Sequence, residues 1–141
     1  MPAWRGELRV VVDGLPADIY GSGAAVRSYV DAKSKGTQRN VYVILLNPAV
    51  ANHPKVLRQN PNRDPSKPCV YVGMTGLTVD QRFANHRNGY KSSWVVKKYG
   101  EGLMPELYEY LNPMPYDAAV QMEKDLAEDL RNQGYTVTGG H

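Results

Sequence analysis

The sequence predicts an α+β domain. Two short apolar runs rich in β-branched residues, Val41-Tyr42-Val43-Ile44-Leu45-Leu46 and Cys69-Val70-Tyr71-Val72, read as strands. Segments with helix-start signals and helical apolar spacing are interspersed after them. With 141 residues, 42% of them hydrophobic, the chain is long enough for a single core.

Taken in order, the elements have local reasons. Glu7 to Val12 is valine-rich and partly alternating, which predicts a first strand ending in an Asp13-Gly14 turn. Residues 23–33 suit a short helix with Ser22 as its cap. Residues 1–40 thus read as an extension packed on or next to a domain spanning 41–141. Asn47-Pro48 ends the strand begun at Val41. From there to Pro68 the chain holds Pro54, Pro61, Pro65 and Pro68 among many Asn, Arg and Lys residues, so 47–68 reads as an inserted surface loop, with room for a short helix around 49–58. Gly73-Met74-Thr75-Gly76 closes the next strand. Thr78-Val79-Asp80-Gln81 has capping-box spacing and predicts a helix to about Asn88, capped by Gly89. A short helix from Ser93 to Tyr99, a strand from Leu103 to Leu111, a helix over about Tyr116 to Asn132 capped by Gly134, and a strand at Tyr135-Thr136-Val137 complete the order.

Composition excludes several classes. No run approaches the roughly 20 apolar residues of a membrane helix, and the first residues lack the apolar stretch of a signal peptide, so the expected location is cytoplasmic. The lone Cys69 rules out an internal disulfide framework and reads as inert strand packing; no Cys/His cluster suits structural zinc, so any metal is expected to be hard and oxygen-bound. The net charge of +3 hides a strong asymmetry. Residues 53–98 hold nine Lys or Arg against two Asp, whereas 101–131 hold two against eight acidic residues. A polyanion suits the middle segment, where Tyr90, Trp94 and Tyr99 interleave with the cations; a solvated basic face over core aromatics is the bland alternative.

Two helices carry polar residues on their apolar faces. At about 100° per residue, with Ala119 as zero, Met122, Leu126, Ala127 and Leu130 fall between about −60° and +80°, and Glu123 falls inside that arc. A carboxylate facing the core needs a cationic partner, a proton, a metal or an escape at the rim. On the helix after Gly76, Val79, Phe83 and Tyr90 share a face, with Arg82 and His86 within about 60° of Val79 and adjacent at i and i+4. An arginine there suits phosphate and a histidine suits proton transfer, although a hydrogen-bonded structural histidine has the same pattern.

Taken together, Val41-Tyr42-Val43, Val70-Tyr71-Val72-Gly73, Arg82 with His86, and the later Glu123 resemble the GIY-YIG nuclease superfamily over residues 41–138. The resemblance implies a small central, mostly antiparallel sheet flanked by helices, with Tyr42 and Tyr71 on neighbouring strands. It implies catalytic roles for Tyr42, Tyr71, Arg82, His86 and Glu123, with Glu123 holding one Mg2+ (or Mn2+). Tyr42 is then the base for an attacking water, His86 helps remove its proton, and Tyr71 orients phosphate or water. Gly73 and Thr75 by the second motif and the cations Arg87, Lys91, Lys97 and Lys98 are the expected substrate contacts.

The implied activity is metal-dependent endonucleolytic hydrolysis of single- or double-stranded DNA. The chain departs from the family pattern in three ways. The two tyrosines stand 29 positions apart, across an insertion with a possible role in substrate contact. The first motif's tyrosine is central in its tripeptide. The closing segment after Asn132 lacks the family's asparagine, and Gly139-Gly140-His141 either tucks against the site or forms a tail. Target choice is assigned to the insertion, the first forty residues or a protein partner. The alternatives are a catalytically inactive nucleic-acid-binding module of the same fold and a protein-interaction domain using the basic face.

Overall fold

A computed structural model of the chain describes residues 11–12, 15–16 and 38–140. The residues expected to open the first strand, its Asp13-Gly14 turn, the helix over 23–33 with its Ser22 cap, and His141 lie outside the described residues. Val11–Val12 (β1) and Leu15–Pro16 (β2) pair antiparallel.

The domain is α+β and is organised on one long strand, Gln38–Leu46 (β3). On one side β3 pairs antiparallel with Cys69–Thr75 (β4), which pairs in parallel with Thr136–Gly139 (β7). On its other side lie Gly100–Leu103 (β5) and Met114–Pro115 (β6), both antiparallel to β3. The sheet order is β5-β3-β4-β7, with β6 joining β3 beyond β5. Val41 to Ile44 are fully or almost fully buried, as expected for a central strand covered on both faces. β4 runs on through Gly73-Met74-Thr75, which had been expected to close it, because Asn40, Val41 and Tyr42 supply partners for Thr75, Met74 and Gly73.

The helices are Pro54–Gln59 (α1), Val79–Arg87 (α2), Trp94–Tyr99 (α3) and Tyr116–Asn132 (α4). The apolar stripe of α4 is the one its sequence spacing gives: Ala119, Met122, Leu126, Ala127 and Leu130 are buried against β3, β4 and β7. Each such large apolar side chain stabilises the fold by about 1.5–3 kcal/mol. Among the described residues, no helix is long and apolar enough to cross a membrane.

Two regions differ from expectation. The strand expected from Leu103 to Leu111 is instead β5, which ends at Leu103, followed by 3-10 turns at Pro105–Leu107 and Glu109–Leu111. The Met104 N–H still reaches the Val43 carbonyl at 2.9 Å, but Pro105 has no N–H to continue and its ring fixes φ. Residues 47–68 are mostly exposed and hold the short helix for which the sequence left room, but they are tied to the core more firmly than a surface loop. A 3-10 turn at Pro48–Asn52 and α1 bury Val50 and Val56, and Asn60 is only 3% exposed.

Asparagine side chains finish both sides of the sheet. Asn60 Nδ2 donates to the Val137 carbonyl at 3.0 Å and its Oδ1 accepts the Val137 N–H at 2.8 Å, so the insertion covers the outer edge of β7. Asn112 treats Val41 the same way, with both bonds at 2.8 Å, filling the gap along β3 between β5 and β6. Both valines are 0% exposed, so an unmet backbone group there has no water to turn to.

Candidate active site

The β3–β4 register sets Tyr42 opposite Gly73 and Ile44 opposite Tyr71, which puts the two tyrosines diagonally on one face of the sheet. Their ring centroids are 6.2 Å apart. Gly73 makes this possible. A Cβ at position 73 would stand 2.6 Å from both Cζ and the hydroxyl oxygen of Tyr42, so the phenol lies across the space that a side chain would fill.

The capping box predicted at Thr78 starts α2: Gln81 N–H donates to Thr78 Oγ1 at 3.1 Å, and Thr78 N–H donates to Gln81 Oε1 at 3.2 Å. Two turns on, α2 delivers His86 into the core. It is the buried residue of this helix, whereas Val79 and Phe83 are half-buried and Tyr90, expected on the same stripe, is 60% exposed beyond the helix end. His86 Nε2 lies 2.9 Å from the Tyr42 hydroxyl, and its Nδ1 accepts the Ser93 N–H at 3.2 Å. A backbone amide only donates, so Nδ1 carries no proton and Nε2 does. Burial, helped by the nearby Arg82 charge, pushes His86 down to about 4 and keeps it neutral. The expected role in removing the Tyr42 proton is therefore reversed: in this tautomer His86 donates to Tyr42.

Arg82, one turn before His86, donates from Nη2 to the Lys91 carbonyl at 2.9 Å. Lys91 holds a left-handed backbone, with φ at 47°, that helps aim this carbonyl. Burial raises both phenols above their ordinary value. For Tyr42 the Tyr71 charge adds to burial, and Arg82 opposes both by hydrogen bond and charge. For Tyr71 the Glu123 charge adds to burial, while Arg82 and a hydrogen bond with Tyr42 oppose it.

Glu123 stands on the buried face of α4 at 8% exposure. No hydrogen bond or ion pair meets its carboxylate among the described residues. Burial pushes it up to about 7, against a small opposing pull from Lys124. Its charge reaches both Tyr42 and Tyr71. The chain after β7 tucks against this region: Gly140 N–H donates to the Val72 carbonyl at 2.9 Å, and a Cβ on Gly140 would come within 2.4 Å of the Ala127 Cβ.

Tyr71 and Arg82 open on a cleft of about 610 Å³. Lys91 lines it, as do His53, Lys55 and Gln59 from the insertion and Trp94 from α3. The other expected substrate contacts are placed differently. Gly73 is buried under Tyr42, and Thr75, 8% exposed, accepts the Leu77 N–H at 3.0 Å, so both serve the local fold. Arg87, Lys97 and Lys98 are exposed but outside the cleft lining; Arg87 lies over Phe83 and Lys98 over Tyr99. Sequence reasoning missed His53, Lys55 and Gln59, whose only signal was the His-Pro start of a helix inside a proline-rich stretch. It also missed Ser93, which acts through its backbone. Cys69 is buried at the start of β4, as its packing role requires.

Among the described residues, no group of three or more His, Cys, Asp or Glu could enclose a metal ion. The donor set suits only an ion that keeps most of its waters. A single hard carboxylate with no partner among the described residues fits Mg2+ or Mn2+, which are commonly bound through one or two carboxylates together with substrate phosphate. Comparisons with protein-family models, with curated proteins and with solved structures each return no match.

Proposed function

We propose that this domain is a divalent-metal-dependent endonuclease that hydrolyses DNA phosphodiester bonds with a tyrosine-activated water. The observation that carries this reading is Glu123, on the buried face of α4 at 8% exposure, whose carboxylate has no hydrogen-bond or ion-pair partner among the described residues and whose charge reaches the two clustered phenols. Its carboxyl oxygens are not among the side-chain atoms shut off from water without a partner, so the group stands at the rim of the core, within reach of a hydrated cation.

Each residue has a task set by its surroundings. Arg82 lines the cleft and is steadied by the Lys91 carbonyl, and its planar fork offers further donors to the equatorial oxygens of a phosphodiester. Tyr71, at the cleft wall, orients the phosphate or the attacking water. Tyr42 takes the proton of that water while passing its own to the hydrogen-bonded Tyr71, which opens on the cleft and gives one up to solvent there, so no free phenolate builds up against the burial that raises both phenols. The His86 Nε2–H donates to the Tyr42 oxygen and steadies the negative charge that develops on it. Glu123 would hold the divalent cation, which when bound supplies Lewis-acid stabilisation of the phosphate and acidifies water.

The test is incubation with linear single-stranded, linear duplex and supercoiled DNA, in Mg2+ or Mn2+ and in EDTA. Cutting that needs the cation and is lost in Glu123→Ala and Arg82→Ala supports the proposal. Full activity in both variants overturns the site. Salt-sensitive DNA binding with no turnover in any divalent ion replaces the proposal with a binding module. No DNA binding at low salt replaces it with a protein-interaction domain.

A further inference from the structure

Trp94 is 56% exposed, and among the described residues it is the one exposed large apolar side chain that lines the cleft holding Tyr71 and Arg82. Its ring is held in place. His53, from the insertion, meets it edge-on at 5.2 Å between centroids, and Tyr99 lies 6.4 Å away. His53 is fixed in turn by a 2.7 Å bond between its Nε2 and the Tyr99 hydroxyl. The insertion that carries His53 is itself anchored to β7 through Asn60. A tryptophan at the first position of α3 has no packing reason to be supported so fully while keeping much of its surface in water.

From this arrangement we infer that Trp94, supported by His53, is a stacking platform for one unpaired nucleobase of a DNA strand whose phosphate reaches Arg82. The inference rests on the nuclease reading and adds the form of the substrate. A cleft of about 610 Å³ lies within the ~300–1,000 Å³ range of sites that enclose small ligands, which suits a single nucleotide. Lys55 and Lys91 on its wall supply charge for neighbouring phosphates. The faces of a paired base are already covered by its neighbours, so the platform serves only single-stranded or locally unpaired DNA.

The test uses the full chain with Trp4, its other tryptophan, replaced by Phe, so that emission reports Trp94, and with EDTA present so that no strand is cut. Short oligothymidylate is expected to quench the emission, while an oligomer of the same length made of abasic sites binds more weakly and leaves emission unchanged. Trp94→Ala weakens oligothymidylate binding by about 5- to 100-fold, measured by anisotropy of a labelled strand, and Trp94→Phe retains most of it. Unchanged emission while anisotropy reports binding, or equal affinity for the abasic strand, overturns the platform. If metal-dependent cutting persists in that case, the nuclease reading stands without it. Absence of both oligomer binding and cutting of any DNA overturns the two together.

Discussion

The Tyr42 hydroxyl and His86 Nε2 lie 2.9 Å apart, and the histidine is the donor, because its other nitrogen is committed to the Ser93 amide. A fully buried imidazole is thereby fixed in one tautomer and in the neutral state. It shares the site with a buried carboxyl group that burial pushes the opposite way, up to about 7.

These two groups give opposite slopes of stability with pH. The folded protein keeps the Glu123 proton to about pH 7, while the unfolded chain releases it near 4.5, so this contribution is full below 4.5 and is lost as pH rises to 7. His86 is neutral in the fold down to about pH 4, while the unfolded chain protonates near 6.5, so its contribution is full above 6.5 and is lost as pH falls to 4. Each amounts to at most about 3 kcal/mol. Urea titrations across pH 4–8 should show Glu123→Gln more stable than the parent at pH 8 and losing stability toward acid, and His86→Gln losing stability toward pH 7. Parallel profiles for parent and both variants would refute the pKa directions.

Gly73→Ala tests whether the glycine exists to seat Tyr42. The new methyl group meets the phenol at 2.6 Å, so the ring must swing and abandon His86. The expected cost is about 1–3 kcal/mol in denaturant unfolding, with loss of DNA cutting. Gly102→Ala is the control, since a Cβ there has nothing within 4 Å. It should be neutral or slightly stabilising. Equal effects at the two positions would show that Gly73 has no steric task.

Arg82→Lys should lose about 10²- to 10³-fold in turnover while single-strand binding changes only a few-fold. An ammonium cannot hold the Lys91 carbonyl and present a planar fork at once, and transition-state charge feels that loss more than ground-state binding. A variant that cuts as fast as the parent would leave Arg82 a merely electrostatic residue.

The α+β class, the central strand, the capping box and the inward turn of Glu123 were legible because each follows from local spacing: the period of α4 alone places its carboxylate among Met122, Leu126 and Leu130. The strand at β5 was missed because Gly100 and Gly102 hide it, while Leu103 to Leu111 is apolar enough to imitate one. The exposed course of the insertion and its short helix were legible, but its anchoring was not, because that comes from long-range bonds, such as Asn60 to Val137, that no window of sequence contains. The cleft wall at His53 and the polarity of the Tyr42–His86 bond are likewise products of tertiary placement.

The pH dependence of cutting provides a separate check on Glu123. A metal ligand must be ionised, so log kcat/KM at low Mg2+ should rise by about one per pH unit to an inflection near 7 and then level. Raising Mg2+ should move the inflection to lower pH, because a cation favours the carboxylate. An inflection independent of Mg2+ would assign the titration to another group.

The two asparagines make matched predictions with different functional readouts. Truncating either to Ala strands one buried N–H and one buried carbonyl, at Val137 for Asn60 and at Val41 for Asn112, which should cost about 2–4 kcal/mol and speed exchange of the corresponding amide. Asn60→Ala also removes the insertion's two bonds to Val137, leaving Arg63 Nε on Thr136 Oγ1 as a remaining tie, and so loosens the His53 wall of the cleft, whereas Asn112 bonds Val41 and does not line the cleft. Under conditions where both variants remain folded, Asn60→Ala should therefore weaken single-strand binding several-fold and Asn112→Ala should not. Equal losses would mean that binding follows global stability and that the insertion is no more than a cover for the sheet.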